Sequence, residues 1–144
     1  PRSPKVTLLH SGMMYRIGFL SILLGTGCFF VFLPAYKTEA LETARTMALC
    51  SLAVFEWTIA LIMRSDEKPI YKIGFFKNPP LLIAIGCALF LQLSILYIPL
   101  FSKLFHTYPL SWNQWAIALI PSGVIFCIET VRIALFPKLF SRGA

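Results

Sequence analysis

IGFLSILLGTGCFFVFLPAY, residues Ile17 to Tyr36, runs for twenty residues without a single charge. A helix needs roughly 20 mostly apolar residues to cross the hydrocarbon core of a bilayer. The stretch offers no polar face to water, as a helix on the surface of a soluble domain must. It therefore reads as a membrane span. Three further runs read the same way. Thr46 to Met63 carries only Glu56, Pro80 to Ser102 carries no charge, and Trp112 to Leu135 carries Glu129 and Arg132 near its end. The predicted spans are about 15–35, 44–63, 80–101 and 114–135, the second being short enough to stand nearly upright. Composition agrees: 58% of the chain is apolar and 13% charged, which places it in the membrane class. The expected fold class is all-α, an integral membrane four-helix bundle forming one domain over residues 1–144.

Lys and Arg set the expected orientation. Arg2, Lys5 and Arg16 precede the first span; Arg64, Lys68, Lys72 and Lys77 follow the second; Arg132, Lys138 and Arg142 close the chain. The first loop offsets Lys37 and Arg45 with Glu39 and Glu42, and the third loop holds only Lys103. By the positive-inside rule both termini and the second loop are cytoplasmic. An even number of spans agrees. Topology thus accounts for the net charge of +7. The lipid bilayer is an expected partner, and contact with anionic headgroups is a further expectation beside topology. No nucleic acid partner is expected, because the basic residues hug span ends and form no separate basic domain. Tyr97, Tyr108, Trp112 and Trp115 bracket the third loop as an outer aromatic belt, and Tyr15, Tyr71, Phe75 and Phe76 fall at the cytoplasmic level. The chain begins PRSPK with no Met and no signal peptide, and reads as a piece of something longer.

Few residues can carry chemistry. Cys28, Cys50, Cys87 and Cys127 fall one per span with no CxxC pair, so they read as small packing residues rather than a zinc site. His10 and His106 fall on opposite sides of the membrane and cannot share a site. Ser21 with Gly25, and Ala84 with Ala88, have the small-xxx-small spacing that lets helices approach closely. Pro121 should kink the fourth span. Glu129 and Arg132, three apart, share a helix face and can pair near the membrane surface. There is no glycine-rich phosphate loop, no HExxH and no Ser/His/Asp set, so these residues alone do no covalent chemistry.

Glu56 differs from all of these. It is the eleventh residue of its eighteen-residue run, near mid-membrane, with no basic residue within one helical turn. Asp, Lys or Arg at that depth costs on the order of 2.5–3.5 kcal/mol on insertion scales. The partner that offsets the cost is a proton, a metal ion or a residue of another helix. Ca²⁺ takes roughly six to eight oxygens. The spans add only Gln92 and scattered hydroxyls such as Thr26, Ser51, Thr58 and Ser94, so most ligands of any ion must come from elsewhere.

Several stretches, in order, resemble the C-terminal membrane segment of P-type cation-transporting ATPases, from the seventh to the tenth helix. PRSPK and LLHSGMMYRIG are similar to the linker into the seventh helix. TARTMALCSLAVFEWTIALIMRS resembles the eighth, with a polar residue mid-helix. IGFFKNPPLL resembles the cytoplasmic turn into the ninth. LQLSILYIPLFSKLFHTYPLSWNQW carries the ILY-x-P, Phe, PL and Trp spacing of the family. IETVRIAL resembles the acidic-then-basic motif ending the tenth.

The resemblance implies an ATP-driven cation transporter in which this segment is the more static wall. Calcium pumps carry a mid-membrane Glu on the eighth helix, and Glu56 falls at that position as a metal ligand. Glu56-Trp57 also echoes the Gln-Trp of sodium/potassium pumps, but the acidic pair of their ninth helix is missing and the short first loop suggests no accessory subunit. Ca²⁺ is the implied cargo. The chain departs from calcium pumps at Ile59 and Ile62, where they carry amides. ATP and Mg²⁺ would act only through domains absent from these residues. The implied partners are the remaining transmembrane helices and cytoplasmic domains of the same pump, and the short loops suit a bacterial inner membrane better than a eukaryotic internal one. The alternative is a free-standing four-helix membrane scaffold or transporter subunit with no ATPase activity.

Overall fold

The computed structural model describes residues 11–63, 74 and 78–135. They form five helices: α1 (Ser11–Thr38), α2 (Leu41–Ile62), α3 (Pro79–Tyr97), α4 (Pro99–Phe105) and α5 (Trp112–Leu135). α1, α2, α3 and α5 are each long and apolar enough to cross a membrane. At 1.5 Å per residue even the shortest, α3, reaches about 28 Å, close to the roughly 30 Å of a hydrocarbon core. The expectation for Tyr71, Phe75 and Phe76 lies outside the described residues, as does His10.

The connections are tighter than the loops expected. α1 continues through Lys37 and Thr38, and Glu39 and Ala40 alone lead into α2. The Glu39 amide donates to the Ala35 carbonyl (2.8 Å) and the Thr38 hydroxyl to that of Pro34 (3.1 Å). Lys37 in the last turn of α1 and Glu42 in the first turn of α2 both suit the helix dipoles. α3 starts at Asn78, whose side chain accepts from the Leu81 amide, with Pro79 and Pro80 in the first turn where a missing N–H costs nothing. It ends at Tyr97, four residues short of the end of the expected span 80–101. Pro99 disfavours helical backbone at Ile98, which is extended (φ −88°, ψ 119°). α4 then starts at Pro99 and stops at His106, whose left-handed backbone (φ 52°) caps it. Ser111 and Gln114 form a reciprocal capping box at the start of α5.

α2 is the central helix and packs along both α1 and α5. One core cluster gathers Val31, Ala35, Ala44, Met47, Cys50, Leu96, Leu110 and Ala118 near the α1–α2 turn; a second gathers Leu20, Phe55 and Ile125. α3 meets α2 over a short stretch only. There the Gln92 amide nitrogen lies 3.4 Å from Cys50 Sγ. Elsewhere α3 stands off, leaving an apolar groove of about 930 Å³ between α2, α3 and α5, lined by Val54, Trp57, Leu89, Leu93 and Leu119 among others.

The close approach of helices falls at a different glycine from the one the spacing suggests. Gly25 has open space where a Cβ would stand, and Ser21 is exposed, its hydroxyl spent on the Ile17 carbonyl. Gly27 is the tight position: a Cβ there would sit 2.7 Å from Pro121 Cβ on α5. Pro121 lies within a continuous α5, so its ring is accommodated by a bare backbone on α1 rather than by a break. Of the cysteines only Cys50 is fully buried; Cys28 is half-buried, and Cys87 and Cys127 are exposed.

Candidate cation site

α2 has two faces. Ala44, Met47, Cys50, Ser51, Phe55 and Ile62 are buried against the chain's own helices. Arg45, Leu49, Glu56 and Ala60 are exposed on a second stripe. The spacings of four, seven and four residues keep that stripe on one side of the helix. Glu56 is therefore mid-span and turned away from the chain's own packing. It makes no hydrogen bond or ion pair among the described residues.

The other oxygen donors named from the sequence do not gather on Glu56. Thr58 donates to the Val54 carbonyl (2.8 Å) and Ser94 to that of Phe90 (2.8 Å), each folding back on its own helix. Gln92 faces Cys50. Ser51 is fully buried, and its hydroxyl has no hydrogen-bond partner among the described residues. Thr26 lines a small apolar cavity beside Gly27 and Pro121. No cluster of three or more His, Cys, Asp or Glu exists among the described residues. Glu56 is a single ligand that these residues cannot complete.

The second intramembrane carboxylate has the opposite setting. Glu129 is 1% exposed, and one of its oxygens, Oε2, takes both neighbouring guanidinium groups. Arg16 Nη2 of α1 donates to it at 3.0 Å; Arg132 Nε donates at 2.9 Å, with Arg132 Nη2 also 2.9 Å away. Arg16 and Arg132 are 3% and 8% exposed. The pair expected at the membrane surface is thus a buried triad joining the first and last spans. In the sequence Arg16 reads only as a charge flanking a span. Because α1 begins at Ser11, Arg16 lies inside the helix rather than before it, and its partner is too distant in sequence for any local pattern to reveal.

At the opposite end, the segment after α4 is pinned over α2. Thr107 donates to the Ile95 carbonyl (2.6 Å), and the Tyr108 amide donates to the Thr46 hydroxyl (3.1 Å). Trp115 Nε1 donates to Tyr97 Oη, which donates in turn to the Leu110 carbonyl. Of the four aromatic residues expected at this level, Tyr97 and Trp115 are thus joined by a hydrogen bond.

Comparison with known proteins adds the following. Residues 1–135 match the family model described as "Cation transporting ATPase, C-terminus". The chain is 34% identical over 146 residues to mouse "Calcium-transporting ATPase type 2C member 2", covering 99% of this chain and 15% of that protein. It is 28% identical over 144 residues to "Calcium-transporting ATPase 1" of Saccharomyces cerevisiae, again 99% of this chain and 15% of the relative. "Cation-transporting ATPase pma1" of Synechocystis is 32% identical over 84% of this chain and 14% of its own length. The chain therefore spans about one-seventh of the relatives it matches.

Proposed function

This chain belongs to the C-terminal family of cation-transporting ATPases, and from that premise we propose that it is the membrane segment of an ATP-driven pump whose cargo is Ca²⁺. Glu56 supplies one carboxylate to the cargo site. The observation that carries this reading is the contrast between the two carboxylates that fall within the spans. Glu129 is neutralised by two guanidinium groups of its own chain; Glu56, mid-span and exposed, has no such partner among the described residues. A carboxylate held at that depth needs a compensating positive charge, and a bound cation supplies it. The names of the yeast and mouse relatives favour Ca²⁺. Since Ca²⁺ takes roughly six to eight oxygens, the remaining ligands belong to other helices of the same pump, packed on the Arg45–Leu49–Glu56–Ala60 stripe. ATP and Mg²⁺ act through domains outside these residues.

The sidedness proposed keeps the Arg16 end cytoplasmic. Arg16 and Arg132 are committed to Glu129, so Arg2, Lys5, Lys138, Arg142 and the four basic residues between α2 and α3 carry the positive-inside bias. The two-residue α1–α2 connection suits a bacterial inner membrane.

The test is phosphoenzyme formation by the full-length protein, titrated separately with Ca²⁺, Na⁺ and K⁺, wild type beside Glu56→Gln. Ca²⁺ alone should drive phosphorylation, and the variant should need several-fold more of it. Phosphorylation indifferent to every cation, or a variant that titrates like wild type, would remove Glu56 from the cargo site.

A further inference from the structure

We propose that α4 is a lipid-docking helix, lying flat in the membrane surface at the α1–α2 turn end with its apolar face inserted among phospholipid acyl chains and Lys103 set among their phosphates. The proposal rests on the four spans and is independent of the transported ion.

α4 is unlike the spans. It has seven residues, PLFSKLF, and none of them is buried. Successive helix residues are about 100° apart, so Leu100, Phe101, Leu104 and Phe105 fall on one side and Ser102 and Lys103 on the other. The four apolar side chains are 73%, 38%, 68% and 55% exposed. Ser102, on the polar side, is the half-buried residue, and the Thr107 amide donates to its carbonyl. The apolar side of the helix is thus turned outward, with Lys103 exposed beside it.

Two constraints bound its depth. The apolar face needs a hydrocarbon contact, and nothing among the described residues covers it. The helix ends need a polar one. α4 has no side-chain cap at Ile98, and the first-turn amides of any helix lack intrahelical partners. Hydrocarbon cannot satisfy those groups, nor the Lys103 ammonium. The interface between headgroups and acyl chains meets both demands, which is the setting of amphipathic surface helices.

Connectivity holds α4 at that level. Ile98 alone separates it from α3, and the hook from His106 to Ser111 returns the chain to α5. That hook is fastened to α2 and α3 by Thr107 and Tyr108. The helix cannot leave the membrane surface without breaking these bonds.

The first experiment uses the unaltered full-length protein in phosphatidylcholine vesicles doped with a phospholipid carrying a diazirine high on one acyl chain. After photolysis, mass spectrometry should find adducts on the apolar residues of α4. Adducts on exposed α3 residues such as Phe90 and Leu91, with α4 bare, would overturn the proposal. The second places a nitroxide at position 104 or 103 in protein whose other reactive cysteines are replaced. Molecular oxygen should relax the label at 104 several-fold more effectively, relative to a water-soluble nickel chelate, than the label at 103. Equal ratios at the two positions would mean that α4 stands in water. Protection of position 104 from both agents would mean that another part of the protein covers it. Either result overturns lipid docking.

Discussion

Arg16 and Glu129 lie 113 positions apart in the chain and 3.0 Å apart in the bundle. Their contact joins α1 to α5, and Arg132 completes it from one turn further along α5. Two guanidinium groups share one carboxylate in a site almost without solvent. The balance is asymmetric: a buried charge is tolerable while paired and costly once its partner is removed.

Glu129→Ala should therefore destabilise the protein strongly, by about 3–5 kcal/mol, because it removes the carboxylate that two buried guanidinium groups share. Replacing all three charged residues together, as Arg16→Met, Glu129→Leu and Arg132→Met, should be near neutral or stabilising by about 1–4 kcal/mol. Thermal unfolding of the detergent-solubilised protein measures both. A triple variant as unstable as Glu129→Ala would show that the triad does more than balance its own charges.

The two carboxylates should separate cleanly. Glu56→Gln should leave thermal stability within about 0.5 kcal/mol of wild type, as expected of an exposed side chain with no hydrogen bond or ion pair among the described residues, while weakening the cation response. Glu129→Gln should lower stability and leave the cation response of the surviving folded fraction unchanged. Matched melting curves and Ca²⁺ titrations on both variants decide it; a stability loss in Glu56→Gln would point to a packing role instead.

Gly27→Ala should cost about 1–3 kcal/mol, since its Cβ would stand 2.7 Å from Pro121 Cβ and must push α1 off α5. Gly25→Ala, with nothing within 4 Å, should be neutral or gain from helix propensity by up to about 1 kcal/mol. The melting temperatures of the two variants, measured side by side, should move in different directions or by clearly different amounts.

Thr46 is 1% exposed, donates to the Glu42 carbonyl and accepts from the Tyr108 amide. Thr46→Val keeps the shape and removes the acceptor, which leaves that amide without its partner at a cost of about 1–3 kcal/mol. Hydrogen exchange at Tyr108 should accelerate in Thr46→Val and stay near wild type in Thr46→Ser. Unchanged exchange in the valine variant would mean that the hook is held by Thr107 and the Tyr97–Trp115 pair alone.

The four spans were legible because their signal is one-dimensional: long charge-free runs need no knowledge of what they pack against. Glu56 was legible for the same reason, as one wrong residue in such a run. The Arg16–Glu129 contact was not, because it depends on which helices become neighbours, and α1 and α5 are the ends of the chain. The break at Ile98 had a sequence cause in Pro99, yet hydropathy runs straight through it, so α4 was absorbed into the third span. The small-residue spacing misled for a related reason. It marks where helices could approach, and only the partner, Pro121, determines that Gly27 is where they do.

The connection through Glu39 and Ala40 has a mechanical consequence. Two residues leave no slack, so α1 and α2 cannot slide past each other by a helical turn of about 5.4 Å without unwinding an end. The Gly27–Pro121 contact and the Arg16–Glu129 bridge lock α1 to α5 in the same way at two other heights. The three helices then behave as one block, with Glu56 on its outer wall. Whatever packs against that wall and moves does its work against an anvil, and the stroke is left entirely to the moving part.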